Sequence, residues 1–440
     1  MLKDTIVAIS TSLAEGAISI IRVSGEEAHA IVNEVFSKDI LKVPANTIHY
    51  GNIMDGEEIV DEVLVSIFKA PKTYTREDVV EINCHGGVYI SQKILTLLLS
   101  KGARLALPGE FTQRAFLNGR IDLTQAEAVQ DMIVADSESS RKLAIQGIKG
   151  SIRKLLEPLI EAMLDIIAHI EVNIDYPEYD DVEQLTNQLV LPELRKWEIQ
   201  LNEILKKAES GRILKQGVKT VIIGSPNVGK SSLFNALLEE DKAIVTAIAG
   251  TTRDLVEGTI RLENVTLHLI DTAGLHKTSD IVEKIGIEKT RKAVEEAELI
   301  LYVLDASREM NDEEKELFEL VKERNTIIIN NKTDIKEQPG VSISALYREI
   351  SALLTEINKR YQHHLQQLDQ SVINNERQIA LVTKTKAAIS QAIIAAENGY
   401  ELDLVTIDIQ NAYTSLKEIL GEVKRDDLLD TLFENFCLGK

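Results

Sequence analysis

The run Gly224-Ser225-Pro226-Asn227-Val228-Gly229-Lys230-Ser231 has the residue types and spacing of a loop that wraps phosphate. Its glycines let main-chain N–H groups curl around an anion, Lys230 reaches the outer oxygens, and the Ser231 hydroxyl can ligate Mg²⁺. Context gives such a string its meaning. The apolar run Val218 to Ile223 enters the loop and a helix-like run from Ser232 to Glu240 leaves it, as a strand–loop–helix phosphate site requires.

Three further strings follow in the order a GTPase needs: Asp271-Thr272-Ala273-Gly274, Asn331-Lys332-Thr333-Asp334 and Ser344-Ala345-Leu346. Apolar runs precede each of them, at Thr266 to Ile270, Ile327 to Asn330 and Val341 to Ile343. The Asp334 carboxylate suits guanine N1–H and the exocyclic amine, whereas adenine presents the wrong pattern, so GTP is expected over ATP. A dedicated hydrogen-bonding group of this kind rejects a mismatched analogue by about 10⁴ to 10⁵. The nucleotide set read from these strings is therefore Asn227, Val228, Gly229, Lys230, Ser231 and Ser232, with Asp271, Thr272, Ala273, Gly274, Asn331, Lys332, Asp334, Ser344, Ala345 and Leu346.

Asp271 is placed to hold Mg²⁺ through water and the Gly274 amide to touch the γ-phosphate, so that losing this phosphate releases the following loop. Within Gly250-Thr251-Thr252-Arg253-Asp254, Thr252 is placed to complete the Mg²⁺ shell. Leu275 stands where Ras-like enzymes carry the glutamine that positions attacking water, so another group must do that work. His276, Asp280 and Glu283 are the candidates. No arginine finger is legible. A monovalent cation can substitute, and the Asn227 amide oxygen suits K⁺ beside the phosphates, although the same amide could simply brace the loop.

These groups need elements to carry them. Residues 218 to about 355 alternate strand and helix as a parallel doubly wound sheet does. Residues 4 to about 118 alternate short apolar runs with helical stretches such as Tyr89 to Leu99, which reads as a small α+β domain. From Leu123 to about Arg212 the period is helical: Ile152, Leu155, Leu156, Leu159, Met163, Ile166, Ile167 and Ile170 share a face. Pro158 is expected to kink that helix or start a new one, and the acidic stretch Asp175 to Asp181 to break it. Ile373 to Glu397 and Leu402 to Leu420 are helical again, so a complete nucleotide domain is expected to be inserted into one discontinuous helical domain. The expected boundaries are 1–118, 119–214, 215–372 and 373–440, in an α/β and α+β multidomain chain.

At 440 residues, 44 % hydrophobic and 27 % charged, the chain can fill about three cores. Its 70 acidic against 49 basic residues give a net charge of −21, a field that repels nucleic acid and anionic membranes, so RNA contact needs a local basic patch or a partner's surface. Two cysteines, Cys84 and Cys437, are too few for a disulfide framework. Lacking a leader-like start and any run of about 18 apolar residues, the chain is expected to be cytoplasmic with no membrane contact.

Strings outside the nucleotide motifs carry a resemblance: Asp4-Thr5-Ile6-Val7-Ala8, Ile20 to Gly25, Cys84-His85-Gly86-Gly87, Pro108 to Thr112, Arg114 to Asn118, Asp122 to Ala128, and Cys437-Leu438-Gly439-Lys440. By these the chain resembles, over essentially its whole length, the MnmE (TrmE) family of tRNA-modification GTPases. The resemblance implies an N-terminal folate-binding and dimerisation domain, a discontinuous helical domain and an inserted Ras-like GTPase domain. It implies a K⁺-activated homodimeric GTP hydrolase that works with a FAD-containing partner, MnmG (GidA), as a heterotetramer. The pair modifies C5 of the wobble uridine (position 34) of certain tRNAs, with 5-formyl- or 5,10-methylene-tetrahydrofolate as one-carbon donor. Matching positions make Asn227, Thr246, Ile248 and Thr251 the K⁺ ligands, Ser231 and Thr252 the Mg²⁺ ligands, and Glu283 the water-orienting residue that joins Lys230 in catalysis. Arg22, Glu81, Arg120 and Lys440 match the folate pocket, with Arg120 where better-known members carry lysine, and Cys437 matches a thiol of functional interest. Cations at 22, 120 and 440 suit the carboxylates of a folate tail and Glu81 the donor face of a pterin, while the plain alternative is a surface ion pair between Arg22 and Glu81. The competing class is a ribosome-assembly type GTPase switch with no RNA chemistry, against which the acidic surface counts.

Overall fold

A computed structural model of the chain describes residues 4–135, 137–175, 186–239, 243–244, 256–262, 265–270, 293–336, 338–365 and 371–423, with residues 433, 436 and 439. Two compact units emerge: Met1–Val134 with Gly147–Ile160 and Tyr413–Lys440, and Ala135–Gln146 with Glu161–Ala412.

The first unit is built on a six-stranded sheet: β1 (Ile6–Ile9), β2 (Ile18–Ser24), β3 (Thr47–Asp55), β4 (Glu58–Phe68), β5 (Val79–His85) and β6 (Arg104–Leu105), in the order β3-β4-β5-β2-β1-β6. Alternation sends Ile21, Val23, Val63, Val65, Val80 and Ile82 to one face, where helices Ala28–Asn33 and Val88–Ser100 cover them. On the opposite face the register sets Ala8, Arg22, Glu81 and Ser66 in one row across four strands. Ile6 and Ala8 are covered there by Phe111 of helix Glu110–Leu117, while Ile18, Ile48, Tyr50 and Leu64 stay exposed.

A charge network centred on the buried Arg114 and Glu110 fastens this unit. Arg114, 1 % exposed, meets Glu110 at 3.0 Å, Asp4 at 2.8 Å and Glu77 at 3.2 Å, and Arg104 meets Glu110 at 2.5 Å and Asp4 at 2.6 Å. Asp122 Oδ1 accepts from the Gln125 amide while Gln125 Oε1 accepts from the Asp122 amide, a reciprocal cap that starts helix Leu123–Val134. The family strings around 108–118 and 122–128 are thus structural joints.

In the second unit a seven-stranded sheet runs β13-β12-β11-β7-β10-β9-β8, from β7 (Val218–Ile223), β8 (Ala243–Ile244), β9 (Val256–Arg261), β10 (Thr266–Ile270), β11 (Leu299–Asp305), β12 (Thr326–Asn331) and β13 (Val341–Ser342). The expected all-parallel sheet is corrected at one edge, because β9 pairs antiparallel with β10 and β8 antiparallel with β9. Only four residues separate β9 from β10, too few for the crossover that a parallel pair needs. Long helices Asn187–Gln216 and Glu376–Glu397 bury Leu194, Trp197, Leu201, Val382, Ile389 and Ile393.

No new helix starts at Pro158. Ser151–Asp175 is continuous, and Ile152, Leu156, Leu159, Met163, Ile167 and Ile170 are all buried along it. Burial along one face outweighs the amide hydrogen bond that proline forfeits. The acidic stretch from Tyr176 to Asp181 lies outside the described residues.

Candidate functional site

β7 lies between β10 and β11 and parallel to both, so the chain leaves β7 toward one side and returns on the other. A crevice opens beyond the carboxyl ends of strands at such a switch point, and the phosphate loop follows β7 there. Two positions require glycine. Gly224 has φ +150° and a Cβ on it would stand 2.4 Å from Val303 O; Gly229 has φ +99° and a Cβ would stand 2.1 Å from Asn331 Nδ2. Helix Lys230–Leu238 begins immediately after Gly229, two residues earlier than the sequence reading, and its first N–H groups face the loop. Asn227 holds φ +61° and is exposed, as are Ser231 and Ser232. Lys230 Nζ donates to Gly224 O and Ser225 O, each at 2.8 Å. Burial holds its ammonium below the usual lysine range, against the weaker pull of Glu313. A cation kept short of anions is poised for phosphate.

The guanine strings converge on the same edge. Asn331, buried at the end of β12, donates through Nδ2 to Val228 O at 2.8 Å and accepts at Oδ1 from the Ala345 amide at 2.9 Å. One side chain thereby fixes the phosphate loop to the Ser344-Ala345-Leu346 segment. Ser344 Oγ donates to Asp334 Oδ1 at 2.6 Å, Thr333 Oγ1 donates to Ile343 O at 2.8 Å, and Leu346 is exposed beside them. The exposed Asp334 carboxylate is held by Ser344 in a fixed setting from which to read a base.

One participant was not singled out from sequence. Asp305, the last residue of β11, accepts from Lys332 Nζ at 2.5 Å through Oδ2, and its Oδ1 accepts from Ser307 N and Oγ. Burial pushes this carboxyl up, but the Lys332 ammonium and the Ser307 donors outweigh it and leave it at about 2. An acid closing the apolar run Leu299 to Leu304 was the available signal.

In the first unit, Arg22 and Glu81 are cross-strand partners and bond each other at 2.8 Å. Arg22 also donates to Gly439 O at 3.2 Å and lies over the Phe111 ring, 5.7 Å from its centroid. Arg120 lies over Tyr74 at 4.7 Å, and Tyr74 packs against the cluster that contains Phe111. Two cations therefore rest on one aromatic floor. His85 closes strand β5 rather than sitting in a turn, and is oriented by Asp61, which accepts from its backbone N at 2.8 Å and contacts its Nδ1 at 2.7 Å.

Thr246, Ile248, Thr251, Thr252, Asp271, Thr272, Ala273, Gly274, Glu283, Cys437 and Lys440 lie outside the described residues. Among the described residues no three His, Cys, Asp or Glu side chains gather as a metal site. The apolar helix Glu376–Glu397 meets the length and composition of a membrane span, yet 44 % of its apolar window is buried within the protein.

Comparison with known proteins adds independent findings. The family model described as MnmE helical domain matches residues 123–437, and the one described as GTP-binding protein TrmE N-terminus matches residues 5–120. The chain is 48 % identical over 448 residues to a protein named tRNA modification GTPase MnmE of Lactococcus lactis subsp. cremoris (strain MG1363), covering 99 % of this chain and 98 % of the relative. A protein of the same name from Bacillus cytotoxicus is 46 % identical over 455 residues, covering 99 % of each. Among solved structures, Aquifex aeolicus Era bound to GDP·AlF4⁻ matches at 23 % identity and TM-score 0.27, covering 39 % of this chain and 66 % of that one. The G domain of the T. maritima FeoB iron transporter matches at 30 % identity and TM-score 0.24, covering 34 % of this chain and 98 % of that one.

Proposed function

The chain belongs to the tRNA modification GTPase MnmE family and is a GTP hydrolase of tRNA modification; on that premise we propose that it is K⁺-activated and works as a folate-carrying homodimer. With a FAD-dependent partner of the MnmG type it modifies C5 of the wobble uridine. The observation that carries the nucleotide half is the bridge made by Asn331 between the phosphate loop and the segment that steadies Asp334.

Phosphate entering the loop takes the Lys230 ammonium from the carbonyls of Gly224 and Ser225, which raises the charged form of a lysine that burial disfavours. Amides at the start of helix Lys230–Leu238 share the same charge. Ser231 with Thr252 would hold Mg²⁺, and Asn227 with Thr246, Ile248 and Thr251 would hold K⁺. The exposed Ser231 and Asn227 suit those roles. When bound, these cations would offset charge on the phosphoryl oxygens, the work an arginine finger does elsewhere. Glu283 orients the attacking water in this reading.

The folate reading is supported by the aromatic floor of Phe111 and Tyr74 under Arg22 and Arg120. The Arg22–Glu81 ion pair is one that a bound ligand would compete for, and Lys440 follows directly on Gly439, whose carbonyl already meets Arg22. A second copy of the chain covers the open sheet face that carries Ile18, Ile48, Tyr50 and Leu64.

The deciding experiment measures GTP and ATP turnover in KCl and in NaCl, alongside nucleoside mass spectrometry of tRNA from cells lacking the chain. GTP-selective, K⁺-dependent turnover and loss of the wobble-uridine modification are expected. Equal rates in both salts would remove the K⁺ role, and unchanged nucleosides the wobble-uridine role.

A further inference from the structure

Lys332 stands between the two residues of its string whose work is already evident, Asn331 on the phosphate loop and Asp334 beside Ser344. Its backbone is left-handed, with φ +66°, a setting that L side chains adopt only under constraint. The ammonium reaches the end of the neighbouring strand β11. It is held at 2.5 Å by Asp305, whose side chain is 9 % exposed and whose other oxygen is occupied by Ser307 N at 3.0 Å and Ser307 Oγ at 2.6 Å.

The sheet register explains how the carboxylate arrives there. Asp305 and Asn331 are paired residues at the carboxyl ends of β11 and β12, and Ala306 N donates to Asn331 O at 2.9 Å. Asp305 therefore belongs to the same rigid edge as the Asn331 bridge. It anchors a four-carbon stem that would otherwise sample many rotamers.

We infer that Asp305 is a positioning residue for guanine: by clamping the Lys332 ammonium it fixes the lysine stem as an apolar wall along the path that a base must take from the phosphate loop to Asp334. This rests on the guanine reading of Asp334. Asp305 itself touches no ligand and acts only through Lys332. Base-bearing ligands gain from a wall set in advance, since no rotamer freedom is lost on binding. Ligands that consist of phosphate alone gain nothing from it.

That asymmetry provides the test on the full chain. Dissociation constants for GDP, ADP and inorganic tripolyphosphate are measured for the native chain, Asp305→Asn, Lys332→Met and the double variant. Asparagine keeps an oxygen for the Ser307 donors and removes the charge. The expected result is a roughly tenfold weaker GDP constant for Asp305→Asn with tripolyphosphate unchanged, and a double variant no weaker than Lys332→Met alone. Parallel weakening of GDP and tripolyphosphate would mean that the edge had merely loosened, and would overturn the inference. So would independent, multiplying effects of the two substitutions, or a GDP constant within twofold of native. A native chain that bound GDP no better than ADP would instead sink the guanine reading, which the first titration separates from the rest.

Discussion

The guanidinium of Arg22 donates to the main-chain oxygen of Gly439 at 3.2 Å, joining residues 417 positions apart, and the Ser10 hydroxyl donates to the same oxygen at 3.1 Å. Gly439 has φ +89°, and a Cβ there would come within 2.7 Å of Ile9 O and 2.8 Å of Ser10 Cα. Gly439→Val has neither the space nor a suitable backbone conformation, so it should displace residue 439 from Ile9, Ser10 and Arg22. A folate analogue titrated by fluorescence should then bind at least about tenfold more weakly, by the loss of one charge-assisted contact. GTP turnover should hold. Undiminished folate-analogue affinity would separate this end of the chain from the Arg22 site.

Asn331→Ala removes both halves of its bridge and strands Val228 O and the Ala345 amide in a buried setting. Each abandoned group costs about 1 to 3 kcal/mol. Calorimetric melting of the nucleotide-binding unit should drop, and GDP affinity should fall more than stability does, because the phosphate loop and the base-reading segment lose their common anchor. A variant that melts lower yet binds GDP normally would show that the bridge supports the fold only.

Lys230 couples binding to protons. Its folded pKa is lowered from 10.5, first by burial, so between that lowered value and 10.5 the unfolded chain holds a proton that the folded, nucleotide-free chain has shed. Stability without nucleotide accordingly rises with pH across this window. Nucleotide phosphates favour the charged lysine, so GDP binding should take up a proton in alkaline buffer and weaken as pH approaches 10.5. Calorimetry in two buffers of different ionisation heat measures the uptake, which Lys230→Met should abolish. Identical uptake in that variant would assign the proton to another group.

The first unit should be acid-labile for a definable reason. Burial pushes Asp4 and Glu110 up, but bonds from Arg104 and Arg114 prevail and hold both below their ordinary values of 3.8 and 4.5. Depressed carboxyls contribute stability that is present above those values and lost as pH falls through the folded ones. Hydrogen-exchange protection within residues 4–134, relative to the intrinsic rate at each pH, should therefore fall below about pH 4.5. Arg114→Met leaves Glu110, Asp4 and Glu77 short of their buried cation and should cost about 3 to 5 kcal/mol. It should also move the acid transition to higher pH; an unmoved transition would place the titrating groups elsewhere.

Much of the site was legible before folding was considered. The phosphate loop, the guanine string and the segment at Ser344 are short, and their chemistry lies in residues a few positions apart whose backbone constraints are local: Gly229 must be glycine wherever such a loop occurs. Strands Val218–Ile223, Thr266–Ile270 and Val79–His85 likewise announce themselves by apolar runs. Tertiary structure alone decided the rest. Nothing in the sequence near Arg22 names Gly439, nothing near Lys332 names Asp305, and Asp4 and Glu77 reach Arg114 of helix Glu110–Leu117 only because the folded unit brings them there. Pro158 shows the same division from the other side, since the local rule allows a new helix start there and the helix, buried along one face, runs through it. Local conformation depends on each residue and its few neighbours, whereas the partner of a buried charge is set by packing, which couples positions that the chain keeps hundreds of residues apart.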